Sequence, residues 1–173
     1  MAPFLSPFVA AQAVGLSASG FFLFSTMSIS PWNIISMLEP SDISLIKRAP
    51  LYGRAFFGRG RPVFIGTAFG GAGAYLLAYL NRPSDISLEH SRALLAAAAT
   101  LVVAVPHTVI WMLPIYKGLA NEKYSGTEVE AKERWNGLMK RFYGGNSIRL
   151  VLYATAYALG IYGLAASHVT SFV

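Results

Sequence analysis

The chain contains no cysteine and few charged residues. Without cysteine it has no disulfide framework, no thiolate metal site and no catalytic thiol. Charged residues make up only 13% of its 173 residues, whereas a soluble domain has about 25%. The polar side chains are therefore too few to cover a surface that faces water, and the composition indicates an integral membrane protein.

The sequence also lacks the motifs of several common function classes. It contains no GxGxxG pattern, no P-loop and no GxSxG motif, which are the usual signatures of dinucleotide binding, phosphate binding and serine hydrolysis. The net charge is +6, but no RNA- or DNA-binding motif accompanies it. The basic residues lie between apolar runs, so we expect a lipid bilayer as partner and no nucleic acid.

Four apolar stretches are present, at 7–37, 62–80, 93–116 and 148–167. Each is close to the roughly 20 residues that a helix needs to cross a bilayer core. Helices are favoured over strands because lipid offers the backbone no hydrogen-bond partner, and the stretches are too long for barrel strands. The sequence therefore predicts an all-α fold, a four-helix transmembrane bundle that forms a single domain over residues 1–173.

The loops between these stretches differ in charge. The first loop carries five basic residues and the third carries six, whereas the second carries only Arg82 and Arg92. The positive-inside rule predicts that the first and third loops are cytoplasmic and that both termini lie on the far side. We expect the host to be an endomembrane.

Small residues recur three or four positions apart in the first two stretches, as at Gly15 and Ser19 and at Gly66, Gly70 and Gly73. Small residues let transmembrane helices approach closely. We expect this face to pack within the bundle. The alternative is a seam between the copies of a homo-oligomer.

Two ionisable residues lie clearly inside the predicted helices, His107 and Arg149. Such residues are costly in a membrane and are therefore functional candidates. Both fall toward the end of the bundle where the first helix carries Trp32 and Asn33, and Trp111 follows His107 by one helical turn. Two structural interpretations stay open, a buried histidine with one hydrogen-bond partner and an arginine that reaches for lipid phosphate.

The histidines are scattered along the chain. His90 and His168 fall at the far side and His107 near the other, so they cannot share a metal ion or hold a haem between them. We expect no metal and no cofactor.

Several short motifs follow one another in a specific order. They are Pro31 near the end of the first stretch, Gly60-x-Pro62, Pro106-His107-Thr108, Met112-Leu113-Pro114, Trp135, Asn146-x-x-Arg149 and the final Leu159-Gly160-Ile161-Tyr162-Gly163-Leu164. In this order, and with four helices, the chain resembles the anthrone-oxygenase-like family of small membrane proteins, many of them from fungal polyketide clusters. Tyr116 stands where that family usually has asparagine after its Met-x-Pro.

The resemblance implies the oxygenation of an anthrone-like polyketide to an anthraquinone by O₂, without flavin or metal. The partners would be O₂ and a lipophilic aromatic small molecule. His107 suits proton abstraction, because imidazole titrates near neutral pH. Arg149 with Asn146 suits stabilisation of the enolate oxygen. The substrate-binding candidates are Trp111, Trp32, Asn33 and Thr108.

Two other classes of function remain open. A non-catalytic membrane assembly or anchoring protein would have His107 and Arg149 directed at lipid headgroups or loops. A small transporter or channel subunit would have a polar path across the bilayer. The second stretch argues against such a path, since Thr67 and glycines are its only polar lining.

Overall fold

The computed structural model describes residues 6–28, 60–119 and 127–169, without the side chains of 60–62 and 166–169. These ranges form four helices and contain no strand. Helix α1 is Pro7–Ser28 and α2 is Gly60–Leu80; α3 covers Leu88–Leu119 and α4 is Glu128–Val169. All four are long and apolar enough to cross a membrane. The predicted all-α four-helix transmembrane bundle is confirmed.

The helices pack in the order in which they occur along the chain. Helix α2 packs on α1, α3 on α2 and α4 on α3, and α4 also contacts α1, which closes the ring. The ends of α1 and α3 therefore lie beside the beginnings of α2 and α4. We call this the basic end of the bundle, because the two basic segments of the sequence join the helices there.

Small residues bring the helices close together around a few large side chains. Alanines at 68, 72, 97, 104 and 156 are almost fully buried in the core, as is the large side chain of Tyr75. The Tyr75 hydroxyl hydrogen-bonds to that of Ser19 at 2.9 Å. A Cβ atom at Gly160 would collide with the Tyr75 hydroxyl, so this contact between α2 and α4 requires glycine.

The small residues of α2 lie differently from the prediction. Added Cβ atoms at Gly66, Gly70 and Gly73 would meet no other described atom within 4 Å, whereas one at Gly71 would collide with Ala18. For these three glycines the described helices provide no packing partner, so their expected packing within the bundle is not found among the described residues. For Gly15 and Ser19 the expectation is confirmed, since Gly15 faces the Tyr75 ring and Ser19 is buried.

Helix α3 begins at Leu88, earlier than the predicted 93, because Ser87 caps it. The Ser87 hydroxyl accepts a hydrogen bond from the backbone N–H of His90 at 3.4 Å, and Glu89 favours the first turn by its negative charge. After Pro106 the α-helix gives way to a π-helical turn at Thr108–Met112 and resumes at Leu113–Leu119. A wider turn of this kind often marks a functional site in a helix.

Helix α4 begins at Glu128 and not at 148. Thr127 and Glu130 form a reciprocal capping box: the N–H of Thr127 donates to the Glu130 carboxylate at 2.8 Å, and the N–H of Glu130 donates to the Thr127 hydroxyl at 3.3 Å. The first half of α4 packs against the last turns of α3, where Trp135, Met139 and Phe142 bury Met112 and Ile115. Tertiary packing thus stabilises a helix that the hydropathy of the sequence assigns to a loop.

The first predicted stretch is described only in part. Helix α1 is confirmed from Pro7 to Ser28, and the expected continuation to residue 37 lies outside the described residues.

Candidate active site

Arg149 lies within the apolar span of α4. Between the exposed Arg141 and Tyr162, whose hydroxyl reaches Glu89, α4 rises about 32 Å, which is close to the thickness of a bilayer core. On the same scale Arg149 lies about 12 Å inside the level of Arg141. Only 2% of its surface is exposed. The interpretation of Arg149 as an arginine that reaches for lipid phosphate is therefore wrong, because the side chain is buried inside the bundle.

The guanidinium of Arg149 has few partners. Its Nη1 donates to the hydroxyl of Tyr116 at 3.1 Å, and the hydroxyl of Tyr153 also interacts with the guanidinium. No carboxylate of the described residues acts on it. Its Nε is buried and lacks a described hydrogen-bond partner. Arginine has five N–H donors, and the Nε–H, which lacks a described partner, is available to a ligand.

Aromatic rings form the apolar wall beneath this cation. The guanidinium carbon lies 5.4 Å from the ring centre of Phe64 and 5.7 Å from that of Tyr153. Phe22 stacks on Tyr153 with 4.7 Å between ring centres. Rings from α1, α2 and α4 thus exclude water from one side of the Arg149 guanidinium.

Asn146 lies one helical turn before Arg149 and is also buried. Its Nδ2 donates to the carbonyl of Thr26 in α1 at 3.3 Å. Its Oδ1, like the hydroxyl of Thr26, is buried without a described partner. The amide keeps a second N–H and both lone pairs of Oδ1 for a ligand.

His107 faces the same region from α3. Both of its ring nitrogens are buried and lack a described partner, and the positive charge of Arg149 acts on the imidazole. The structural interpretation expected a buried histidine with one hydrogen-bond partner, but among the described residues His107 has none. The structure brings together three predicted site residues, His107, Asn146 and Arg149, each with an unsatisfied polar atom. Buried polar atoms normally have partners, so these atoms are the ones a ligand would satisfy.

The structure does not show the other predicted residues among these polar groups. The hydroxyl of Thr108 donates to the carbonyl of Ala104 at 2.8 Å. Trp111 is 57% exposed, and in the π-helical turn Met112 takes the fully buried position. The wider turn breaks the spacing that places residues 107 and 111 on one face of an α-helix. Trp32 and Asn33 lie outside the described residues.

Sequence reasoning missed Tyr116 and Thr26 as members of this site. Tyr116 departs from the pattern of the family that the chain resembles, and that departure was the signal. Its hydroxyl accepts a hydrogen bond from Nη1 of Arg149. Nothing in the local sequence marks Thr26, since its place opposite Asn146 depends on how α1 and α4 pack.

Within the described ranges no three His, Asp or Glu side chains are grouped as metal ligands. His168 and the acidic residues of the first loop fall outside the described side chains, so a metal-free reaction stays a prediction.

Comparison with known proteins identifies a family. The family described as "Anthrone oxygenase" matches residues 54–159, more than half of the chain. The matched range contains α2, α3 and most of α4, together with His107, Asn146 and Arg149. No curated protein and no solved structure matches the chain.

Proposed function

This chain belongs to the anthrone oxygenase family, and we propose that it oxidises an anthrone-like polyketide to the anthraquinone with O₂, without flavin or metal. The observation that supports this most is the set of buried, unpartnered polar atoms on His107, Asn146 and Arg149. They comprise a base, an amide and a fixed cation beside aromatic rings. A phenolic aryl ketone needs these same groups to be held and ionised.

The reaction begins with a proton transfer. The methylene of an anthrone is acidic because the anion left behind is delocalised onto the ketone oxygen and the flanking rings. A neutral imidazole nitrogen of His107 accepts this proton. Neither ring nitrogen is committed to a described partner, so either can act as acceptor.

The negative charge develops on the former ketone oxygen, where Arg149 acts. A cation already fixed in a water-excluded site stabilises such an anion with little reorganisation. The Nε–H of Arg149, which lacks a described partner, donates to the oxygen. Asn146 donates its second N–H or accepts a phenolic hydroxyl through Oδ1, according to how the substrate lies.

The electron-rich enolate then reacts with O₂. It passes one electron to O₂, and the resulting radical and superoxide combine to form a carbon–oxygen bond and a peroxide anion. The imidazolium of His107 returns its proton to the outer peroxide oxygen. Loss of the second proton from the same carbon forms the new carbonyl as the oxygen–oxygen bond breaks, and hydroxide leaves with that proton as water. One anthrone and one O₂ thus give one quinone and one water.

The bundle suits a lipophilic substrate, because O₂ and polyketides both concentrate in the apolar membrane. The non-catalytic anchoring function has less support, since Arg149 and the nitrogens of His107 are turned away from solvent and headgroups.

The test is turnover by the purified chain in lipid nanodiscs. Anthrones also react slowly with O₂ unaided, so each rate is compared with empty nanodiscs. We expect one O₂ consumed per quinone formed, one atom of ¹⁸O₂ in the quinone, and the same rate with a metal chelator present. A rate equal to that of empty nanodiscs, or a rate lost in chelator and restored by one metal, contradicts the proposal.

A further inference from the structure

A groove opens on the outer surface of the bundle beside the π-helical turn. Its volume is about 140 Å³, and it is lined by Ile110, Trp111, Pro114, Ile115, Leu138 and Arg141. Arg141 is exposed at the basic end, at the level where the apolar span of α4 begins. The groove therefore lies at the membrane interface and combines an indole face, aliphatic walls and one cation.

Only a thin wall separates this groove from the candidate active site. Gly145 directly precedes Asn146, and a Cβ atom added to it would come within 3.0 Å of Cδ1 of Trp111. The same Cβ would collide with the sulfur of Met112, a fully buried side chain. Methionine is unbranched and changes shape readily. Gly145 has no side chain, so the Met112 side chain is what fills the space between Trp111 and the backbone next to Asn146.

The chemistry of the groove selects its occupant. A flat aromatic molecule stacks on an indole face, and an arginine at one edge pairs with an acidic oxygen. A molecule that partitions into the membrane interface with its rings in the apolar layer and a phenolate or carboxylate toward water would match both. Trp111 alone would be an ordinary interface anchor; the adjacent cation and the continuity with Gly145 distinguish this position.

We propose that this groove is the docking site through which an acidic polycyclic phenol passes from the membrane interface to His107 and Arg149. Trp111 stacks on its rings, Arg141 pairs with its anionic substituent, and Met112 moves aside. The inference rests on the proposed function, and it adds a preference for substrates that carry an acidic group.

The test uses stable quinones, so that binding is measured without turnover. The probes are an anthraquinone with one carboxylate and the same anthraquinone without it, bound to the chain in phosphatidylcholine nanodiscs and followed by quinone absorbance. We expect Trp111→Ala to raise the Kd of both probes roughly 3- to 10-fold. Arg141→Gln should raise the Kd of the carboxylate probe alone, about two- to fivefold.

Two variants serve as controls. Lys140→Gln removes the neighbouring exposed charge, which does not line the groove, and should change neither Kd. Trp111→Leu keeps apolar bulk without an aromatic face, so it should behave like Trp111→Ala if stacking matters. Should Trp111→Ala fail to fold, Trp111→Leu decides the same question.

Kinetics separate this inference from the proposed function. Trp111→Ala and Arg141→Gln should raise KM for an acidic anthrone and leave kcat within about twofold, whereas His107→Phe should lower kcat. If the chain shows no turnover but the quinones bind in the expected pattern, the proposed function fails and the groove stands. The proposed docking site is refuted if turnover depends on His107 while the groove variants alter neither Kd nor KM. It is also refuted if Lys140→Gln acts like Arg141→Gln. The last result would mean that Arg141 attracts anionic molecules only through the general charge of the surface.

Discussion

Replacing His107 with phenylalanine should make the protein more stable and less active. Both ring nitrogens are buried without a described partner, and one unsatisfied buried polar group costs about 1–3 kcal/mol. Phenylalanine has a similar volume and no polar atom, so His107→Phe should raise the free energy of unfolding by about 1–3 kcal/mol. Loss of the general base should lower turnover of an anthrone by roughly 10²–10⁴-fold.

The same substitution at His90 provides the matched control. His90 lies in the same helix, stacks on Tyr162 with 4.6 Å between ring centres and hydrogen-bonds to Ser87 through Nδ1. It has partners and is remote from the candidate site, so His90→Phe should leave stability unchanged or lower, and turnover unaffected.

Unfolding in nanodiscs and O₂ consumption would be measured on the same preparations. A His107→Phe variant that is less stable than the wild type and equally active would refute the reasoning, because it would show a histidine held by a structural partner. Higher stability with full activity would remove His107 as the base and leave ionisation of the substrate itself, assisted by Arg149.

Three further predictions concern other parts of the bundle. Arg149→Lys should lower turnover at least tenfold, because a lysine cannot present a planar fork to one oxygen. The losses of turnover caused by Arg149→Lys and His107→Phe should not be fully additive in the double variant, whose rate checks this. Gly160→Ala should lower the unfolding free energy by about 1–3 kcal/mol, because its methyl group displaces the Tyr75 hydroxyl, and thermal unfolding measures it. Single cysteines at Ser84 and Asn136 should label from opposite sides of the membrane, with Asn136 cytoplasmic; labelling of both from one side would contradict the topology.

Hydropathy predicted the fold because the bilayer restricts a chain of this composition to helices. It failed at the beginning of α4, where Lys132, Arg134 and Lys140 interrupt the apolar pattern. The capping box of Thr127 and Glu130 was readable in the sequence as Thr-x-x-Glu. However, its significance depends on the packing of Trp135 and Met139 against α3, and hydropathy does not report that contact.

The site was predictable in part for a related reason. A charged or titratable residue within an apolar helix is conspicuous, so Arg149 and His107 could be identified without coordinates. Trp111 was assigned to the same face as His107 on the assumption of a regular α-helix. The π-helical turn after Pro106 invalidates that assumption, and the position of such a turn depends on packing between helices.

The pairing of Arg149 with Tyr116 bears on what this chain selects. A charged residue at the centre of a transmembrane helix costs about 2.5–3.5 kcal/mol on insertion scales. The hydroxyls of Tyr116 and Tyr153 and the rings of Phe64 and Tyr153 offset part of this cost. The buried Nε still lacks a described partner, and an anionic ligand would supply one. Asparagine usually occupies the position of Tyr116 in the family that the chain resembles, and a phenol extends farther than an amide and adds a ring. The hydroxyl of Tyr116 holds Nη1 of Arg149, and we expect its ring to favour flatter substrates than asparagine would.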